Sequence, residues 1–274
     1  MGTQVPARGF QMIGTAVDVC RSIFVAHRPA SFLPQSKVLW NNGFNRQLVV
    51  AAIQREAADV VGVVLVDPEG EPLPAWLPGA HLDVFLPSGR RRQYSLCGDP
   101  RDRSSYRIAV RLMPHGGGGS IEIHENLRSG DPLRVHGPRH TYPFLDAPDY
   151  LFIAGGMGIT AILPMAQAAG RRGTLIYTGR TRDSMPFLDR VPGALIHPDD
   201  EFGPPDMAEL LTRAEPGTAV YVCGPPEMLE AAIHAVPRVA PASSLHLERF
   251  PAARAARARA HDDPDRGRPC APPH

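Results

Sequence analysis

Tyr150-Leu-Phe-Ile-Ala-Gly-Gly-Met-Gly-Ile-Thr160 sets the architecture of the chain: an unbroken apolar run, a glycine turn, then the start of a second apolar segment. A run of bulky residues with no polar alternation reads as a strand covered on both faces, and the glycines behind it read as a turn into a helix from about Thr160. The rhythm then repeats. TLIYT (174–178), a helical 206–214, AVYVC (219–223) and a helix over 226–236 follow in order. Continuous apolar strands alternating with helices predict a parallel sheet covered on both sides. Pro164 is expected at the start of the first helix, where its missing N–H costs least.

Upstream the pattern changes. From Leu48 the chain carries short apolar or alternating runs, LVVAAI (48–53), VVGVVLV (60–66), HLDVFL (81–86), RRQYSLC (91–97) and YRIAVRL (106–112). They are separated by the turn sequences Asp67-Pro-Glu-Gly70, Pro87-Ser-Gly89 and Gly98-Asp-Pro100. Many short strands at this spacing predict an antiparallel β-barrel. After Gly116–Gly119 a short helix is expected over 120–129, with Ser120 as N-cap and Gly130 just past its end, and a last barrel strand near 132–136. The chain therefore divides into a poorly structured leader (1–44), a barrel (45–145), an α/β nucleotide-binding domain (146–250) and a tail (251–274). The tail contains no Val, Ile, Leu, Met, Phe, Trp or Tyr and is expected to be disordered.

Composition narrows the function. With 274 residues, 43% of them hydrophobic, the chain can bury two cores, and its formal charge of +1 offers no excess of cations for nucleic acid or an anionic membrane. No apolar run reaches the roughly 18 residues that span a bilayer. The four cysteines, Cys20, Cys97, Cys223 and Cys270, are scattered, which fits neither a zinc site nor a disulfide scaffold and points to a reducing, cytoplasmic setting.

Five motifs carry chemistry. In Arg92-Gln-Tyr94-Ser95 the strand period puts Arg92 and Tyr94 on one face, a cation for phosphate beside a flat ring, although a half-solvated barrel wall has the same pattern. Gly116-Gly-Gly118-Gly119-Ser120 opens a short helix, where unpaired N–H groups favour an anion; a flexible turn would also use glycine. Gly155-Gly156-Met-Gly158-Ile-Thr160 stands where a glycine turn can receive a pyrophosphate, or serve as an ordinary loop. Thr178-Gly-Arg180-Thr-Arg182 follows the second parallel strand, near where such sheets hold an adenosine, and two arginines there could grip a 2′-phosphate. Cys223-Gly224-Pro225 closes a buried strand, where a lone cysteine is commonly a small hydrophobe.

In this order, and with the wording RQYSLCGDP, YRIAVRL, YLFIAGGMGIT and LHLERF around them, the motifs resemble the phthalate dioxygenase reductase and vanillate demethylase reductase family of the ferredoxin-reductase superfamily, from about Leu48 to Phe250. The resemblance implies that Arg92 binds a flavin phosphate, Tyr94 packs on the flavin ring and Ser95 hydrogen-bonds its N5 region. It implies that the backbone of Ala109, Val110 and Arg111 meets the polar edge of the ring, and that Gly118, Gly119 and Ser120 hold the phosphate. The family pattern there is G-R-G-G-S, and its arginine is Gly117 in this chain. Gly155, Gly156, Gly158 and Thr160 become the nicotinamide-nucleotide loop, with Ala161 in place of the usual proline and Thr160 also reaching the flavin. Cys223, with Gly224 and Pro225, is placed beside the nicotinamide as a positioning residue. Phe250 becomes a lid over the flavin and Glu248 a supporting group. The family implies FMN rather than FAD and NADH rather than NADPH, with Arg180 and Arg182 as the residues that keep NADPH open.

Family members pass electrons from NADH through FMN to a [2Fe-2S] cluster on the same chain, and such a cluster needs four cysteines. Only Cys270 follows Phe250, so the expectation is no [2Fe-2S] on this chain and a separate ferredoxin or oxygenase component as partner. The alternative is a truncated or frame-shifted relative, either uncoupled and oxygen-reducing or catalytically dead. The compositional break at Pro251 weighs toward truncation.

Overall fold

The computed structural model describes residues 23–26, 45–239 and 244–249. In chain order the elements are β1 (Ile23–Ala26), β2 (Asn45–Ala57), β3 (Val60–Val66), β4 (Ala80–Phe85), β5 (Arg91–Ser95), β6 (Ser105–Arg111), α1 (Gly119–Asn126) and β7 (Pro132–His140). There follow β8 (Tyr150–Gly155), α2 (Ile159–Ala169), β9 (Gly173–Gly179), β10 (Leu195–Pro198), α3 (Asp199–Phe202), α4 (Met207–Leu211), β11 (Ala219–Gly224), α5 (Pro226–Val239) and β12 (Ser244–Arg249).

Six strands in the order β5-β4-β7-β2-β3-β6 form an antiparallel sheet. Its two end strands meet just beyond β5, where the Cys97 N–H donates to the Arg107 carbonyl at 2.9 Å. Inside lie Leu48, Val50, Val63, Leu65, Leu82, Val84, Ile108 and Val135, all nearly without exposure. These are alternate residues of their strands, as a barrel wall requires.

The second sheet has the order β1-β12-β11-β8-β9-β10, with neighbours from β12 to β10 parallel and β1 antiparallel on the edge. Its strands read as unbroken apolar runs because both faces are covered. Tyr150, Phe152 and Ala154 pack with α2 and with Val60, Cys97 and Ala109 of the barrel, whereas Leu151 and Ile153 pack under α4 and α5. An apolar cluster distinct from the barrel interior therefore joins barrel to α/β sheet. Polar contacts reinforce it: Ala58 N–H donates to the Asp183 carbonyl at 2.8 Å, and Arg190 donates to the Cys97 carbonyl at 3.2 Å. Phe187, buried and at φ 63°, has the guanidiniums of Arg107 and Arg190 over its ring, 5.9 and 5.2 Å from the centroid.

Four sequence expectations need correction. Helix α1 starts at Gly119 and ends at Asn126; its N-cap is Gly118 at φ 81°, not Ser120, and no side chain caps it. A left-handed residue turns the chain there, which glycine does at little cost, while the Ser120 hydroxyl accepts from the Met113 N–H at 2.9 Å instead. Pro164 lies inside α2 rather than in its first turn, so the Thr160 carbonyl has no N–H from that position. Strand β10 and helix α3 add to the α/β sheet a unit too short and too polar to stand out in the sequence. Within the expected leader, 23–26 pairs with β12. Phe250 and the tail lie outside the described residues.

Candidate functional site

The outer end of β5 and the mouth of α1 form a cationic corner. Gly117 and Gly118 run at φ 72° and 81°, which turns the chain so that α1 points its N-terminus at β5. Arg92 donates from Nη2 to the Gly117 carbonyl at 2.9 Å, and Arg90 donates from Nε to the same oxygen at 3.1 Å. A Cβ on Gly119 would stand 2.7 Å from Arg92 Nε, so this glycine makes room for the guanidinium. The expected residues Arg92, Gly118, Gly119 and Ser120 are thus gathered in one place. Arg90 was not among them. Its signal was the run Arg90-Arg91-Arg92, whose first and third members fall on one side of an extended segment.

Tyr94 packs on the barrel core from the same side of β5 as Arg92, and burial pushes its phenol up to about 12, so it remains a neutral aromatic surface. Ser95, one residue on, is buried and paired in register with His81.

Strand β6 connects this corner to the α/β sheet. Leu112 N–H donates to the Asp59 carbonyl at 2.7 Å on the β3 side, and the Arg107 carbonyl accepts from Cys97 on the β5 side. By alternation, the backbone groups of Ala109 and Arg111 turn toward the β5 side, beyond the point where β5 ends. A flat heterocycle's polar edge would meet them there. Val110 differs: its carbonyl accepts from His124 Nε2 at 2.9 Å, and its side chain is in the barrel core. Arg111 then reaches across the gap. Its guanidinium pairs with Asp59 at 3.1 Å, donates to the Ser184 carbonyl, and would lie 3.3 Å from a Cβ on Gly156.

The glycine bend is built by close approach. Gly156, at φ 52°, starts a 3-10 turn through Gly158 that leads into α2. A Cβ on Gly158 would overlap the Cys223 carbonyl, and one on Gly155 would stand 2.8 Å from Pro225 Cδ. The ends of β8 and β11 therefore touch, and Gly155, Gly158, Cys223, Gly224 and Pro225 are brought together as expected. The Thr160 hydroxyl donates to the Met157 carbonyl at 2.9 Å, so here it braces the bend.

Cys223 is fully buried and stands in register with Glu248 on β12. Burial raises the Glu248 carboxyl to about 8, and its Oε2 is buried without a hydrogen-bond partner. At neutral pH this is an uncharged acid beside a thiol at the carboxyl end of the sheet, the edge where open α/β sheets receive ligands. Cys97 keeps its plain reading as a buried hydrophobe, burial lifting its thiol to about 12.

Arg180 and Arg182 follow β9. Arg182 is held by Glu201, with Nε and Nη2 at 2.6 and 3.0 Å from the two carboxylate oxygens, and Asp199 and Asp200 stand beside Glu201. Among the described residues no group of three or more His, Cys, Asp or Glu could hold a metal ion. Nor, among them, is any helix long and apolar enough to cross a membrane.

The arrangement fits the groups the sequence implied: a cationic, glycine-lined corner for a phosphate, an open strand edge for a heterocycle, and a glycine bend for a second nucleotide. No family model matches the chain. Curated proteins do. The chain is 37% identical over 216 residues to a putative toluene-4-sulfonate monooxygenase system reductase subunit of Comamonas testosteroni, covering 74% of this chain and 67% of that protein. It is 35% identical over 216 residues to a vanillate O-demethylase oxidoreductase of Pseudomonas putida, covering 75% and 68%. Among solved structures, phthalate dioxygenase reductase, described as a modular structure for electron transfer from pyridine nucleotides to [2Fe-2S], superposes with a TM-score of 0.70 at 34% identity, over 75% of this chain and 68% of that one. The chain thus spans about two thirds of the length of these relatives.

Proposed function

Because the chain belongs to the phthalate dioxygenase reductase and vanillate O-demethylase reductase family of the ferredoxin-reductase superfamily, we propose that it is a cytoplasmic reductase component of an oxygenase system, moving electrons from NADH through FMN to a separate ferredoxin or oxygenase component. When bound, FMN supplies the change from hydride to single-electron chemistry, and the protein supplies orientation and exclusion of water. The observation that carries this reading is the position of β6. Its last residue and the two that follow join the cationic mouth of α1, through the Met113–Ser120 bond, to the glycine bend, through Arg111.

In this reading Arg92 and the N-terminus of α1, with Gly118, Gly119 and Ser120, hold the terminal phosphate. Tyr94 lies against the ring, Ser95 turns its hydroxyl toward the reacting edge, and the backbone of Ala109 and Arg111 binds the polar edge. Val110 contributes its strand and not its carbonyl, which His124 engages. Gly155, Gly156 and Gly158 admit the pyrophosphate of NADH at the start of α2, with Thr160 holding the bend. Cys223 and the Gly224-Pro225 turn seat the nicotinamide, and the neutral Glu248 keeps a second charge out of that pocket. Cys223 acts by shape and is not a nucleophile. The lid role of Phe250 rests on the sequence alone.

FMN is favoured over FAD because the cationic corner suits a doubly charged terminal phosphate. NADH is favoured over NADPH because Glu201 neutralises Arg182 and two more carboxylates adjoin it, which repels a 2′-phosphate; Arg180 then lies near the adenosine without that charge to bind. Purified protein should be yellow and reduce ferricyanide with NADH. Colourless protein that takes up neither FMN nor FAD would contradict the reading. Glu201→Ala should raise turnover with NADPH relative to NADH several-fold, and an unchanged ratio would remove Arg182 from the choice of nucleotide.

A further inference from the structure

We propose that Arg90, which lies outside the Arg92–Ser95 motif, is a second ligand of the flavin phosphate and the residue that sets the preference of this site for a phosphorylated flavin. The inference rests on the flavin reading and assigns a residue which that reading does not use. Arg90 stands at the turn before β5, where Leu86 N–H donates to its carbonyl at 2.8 Å. The turn fixes the backbone, and the side chain crosses to α1.

Three observations define what the side chain can do. First, Arg90 and Arg92 both donate to the Gly117 carbonyl, at 3.1 and 2.9 Å, so two guanidiniums converge on one neutral acceptor. The Gly117 carbonyl does not neutralise Arg92, and the Glu122 carboxylate meets Arg90 only through Nη1 at 3.4 Å, so a dianion placed between the two guanidiniums still gains from both. Second, Gly117 and Gly118 present no side chain there: a Cβ on Gly118 would lie 3.3–3.4 Å from Arg90 Nη2, Nε and Cζ, and one on Gly117 would lie 3.3 Å from Arg92 Nη2. The guanidiniums sit over bare backbone, in a space any larger residue would have to share. Third, Arg90 has a fixed bearing. Nη1 faces Glu122 at 3.4 Å, and Ser88 N–H donates to the other oxygen of Glu122 at 2.9 Å. With Nε on Gly117 and Nη1 toward Glu122, Nη2 has no hydrogen-bond acceptor among the described residues.

Helix α1 begins at this point with no side-chain cap. Gly119, its first residue, lies against the Arg92 guanidinium, whose Nε would stand 2.7 Å from a Cβ there, and each charge-assisted bond from this corner adds to the attraction for a phosphate monoester. Riboflavin, which lacks the phosphate, gains nothing from Arg90. The flavin ring contacts assigned to Tyr94, Ala109 and Arg111 serve both ligands equally.

Equilibrium binding of FMN and of riboflavin to the full chain, stripped of flavin and followed by quenching of flavin fluorescence, tests the assignment. For Arg90→Ala the expected result is FMN affinity lowered about tenfold or more with riboflavin affinity unchanged. Arg90→Lys, which keeps the charge and loses the fork, should fall between. Retained riboflavin binding also reports that the variant is folded. Unchanged FMN affinity in Arg90→Ala overturns the proposal, and so does an equal loss for both ligands, which would make Arg90 a scaffold residue. The double variant Arg90→Ala/Glu122→Gln separates a last possibility: full recovery of FMN binding would mean that Arg90 only masks the Glu122 carboxylate, and persistent loss supports direct contact. Wild-type protein that binds neither flavin overturns the flavin reading itself, an outcome distinct from all of these.

Discussion

Glu248 shows how burial alone can give an ordinary residue an unusual state. Among the described residues no cation is in hydrogen-bonding contact with it and its Oε2 has no hydrogen-bond partner, and desolvation raises its carboxyl to about 8. The folded chain therefore holds this proton more tightly than the unfolded chain, whose glutamate titrates near 4.5. Stability from this group is present below about pH 4.5 and is lost progressively as pH rises toward about 8, a loss on the order of a few kcal/mol. Glu248→Gln, which keeps the shape and cannot ionise, should flatten that decline. Urea melts of both proteins at pH 5 and pH 8 measure it, and parallel pH profiles would show that Glu248 is not the group responsible. The same residue adjoins Cys223, for which the proposed role is positional. Its thiol lies inside the packed core, in register with that acid.

At the scale of elements, Phe187 carries the sharpest consequence. It is the one non-glycine at positive φ among the described residues, and its ring fills the seam between β6 and the α/β sheet under Arg107 and Arg190. Removing the ring should cost about 3–5 kcal/mol. Against the usual order, Phe187→Gly should be more stable than Phe187→Ala by about 1 kcal/mol, since glycine accepts φ 63° without a Cβ penalty. Chemical denaturation of the two variants decides this, and an alanine variant at least as stable as the glycine would mean that the backbone relaxes out of that conformation. Phe187 also marks the limit of sequence reading. Strands β8, β9 and β11 were legible because burial on both faces leaves a continuous apolar run, and the barrel strands because short runs alternate between turn signals. Strand β10, with Ile196 and His197 half-buried at the sheet's edge, leaves no such run. The start of α1 is not legible because Ser120 looks like a cap, whereas the positive φ at Gly118 decides the turn. The motif residues Arg92, Gly119, Gly158 and Cys223 could be found as patterns. The side-chain roles of Arg90, Arg111 and Glu201 were not legible, although Arg90 stands in an arginine run and Arg111 was expected for its backbone, since those roles come from pairings across 27, 73 and 19 residues of chain.

At the scale of the whole molecule, the barrel and the α/β sheet meet along β6 through a shared apolar cluster, which would hold the two proposed nucleotide sites in fixed relation. Val60, Cys97 and Ala109 from one side and Tyr177, Met185 and Phe187 from the other make this a packed seam. A flavin on the open edge of β6 and a nicotinamide at the Gly158–Cys223 junction would then stack without any large closure of one sheet on the other. The central claim is that these two sites form a single redox cleft. An anaerobic titration of the FMN-loaded chain with NADH, followed at flavin wavelengths, tests it most directly. The account predicts rapid loss of the oxidised flavin band, complete near one NADH per flavin, and slowed many-fold by Gly158→Ala, whose Cβ would collide with the Cys223 carbonyl. Bound flavin that keeps its oxidised spectrum in excess NADH would contradict it.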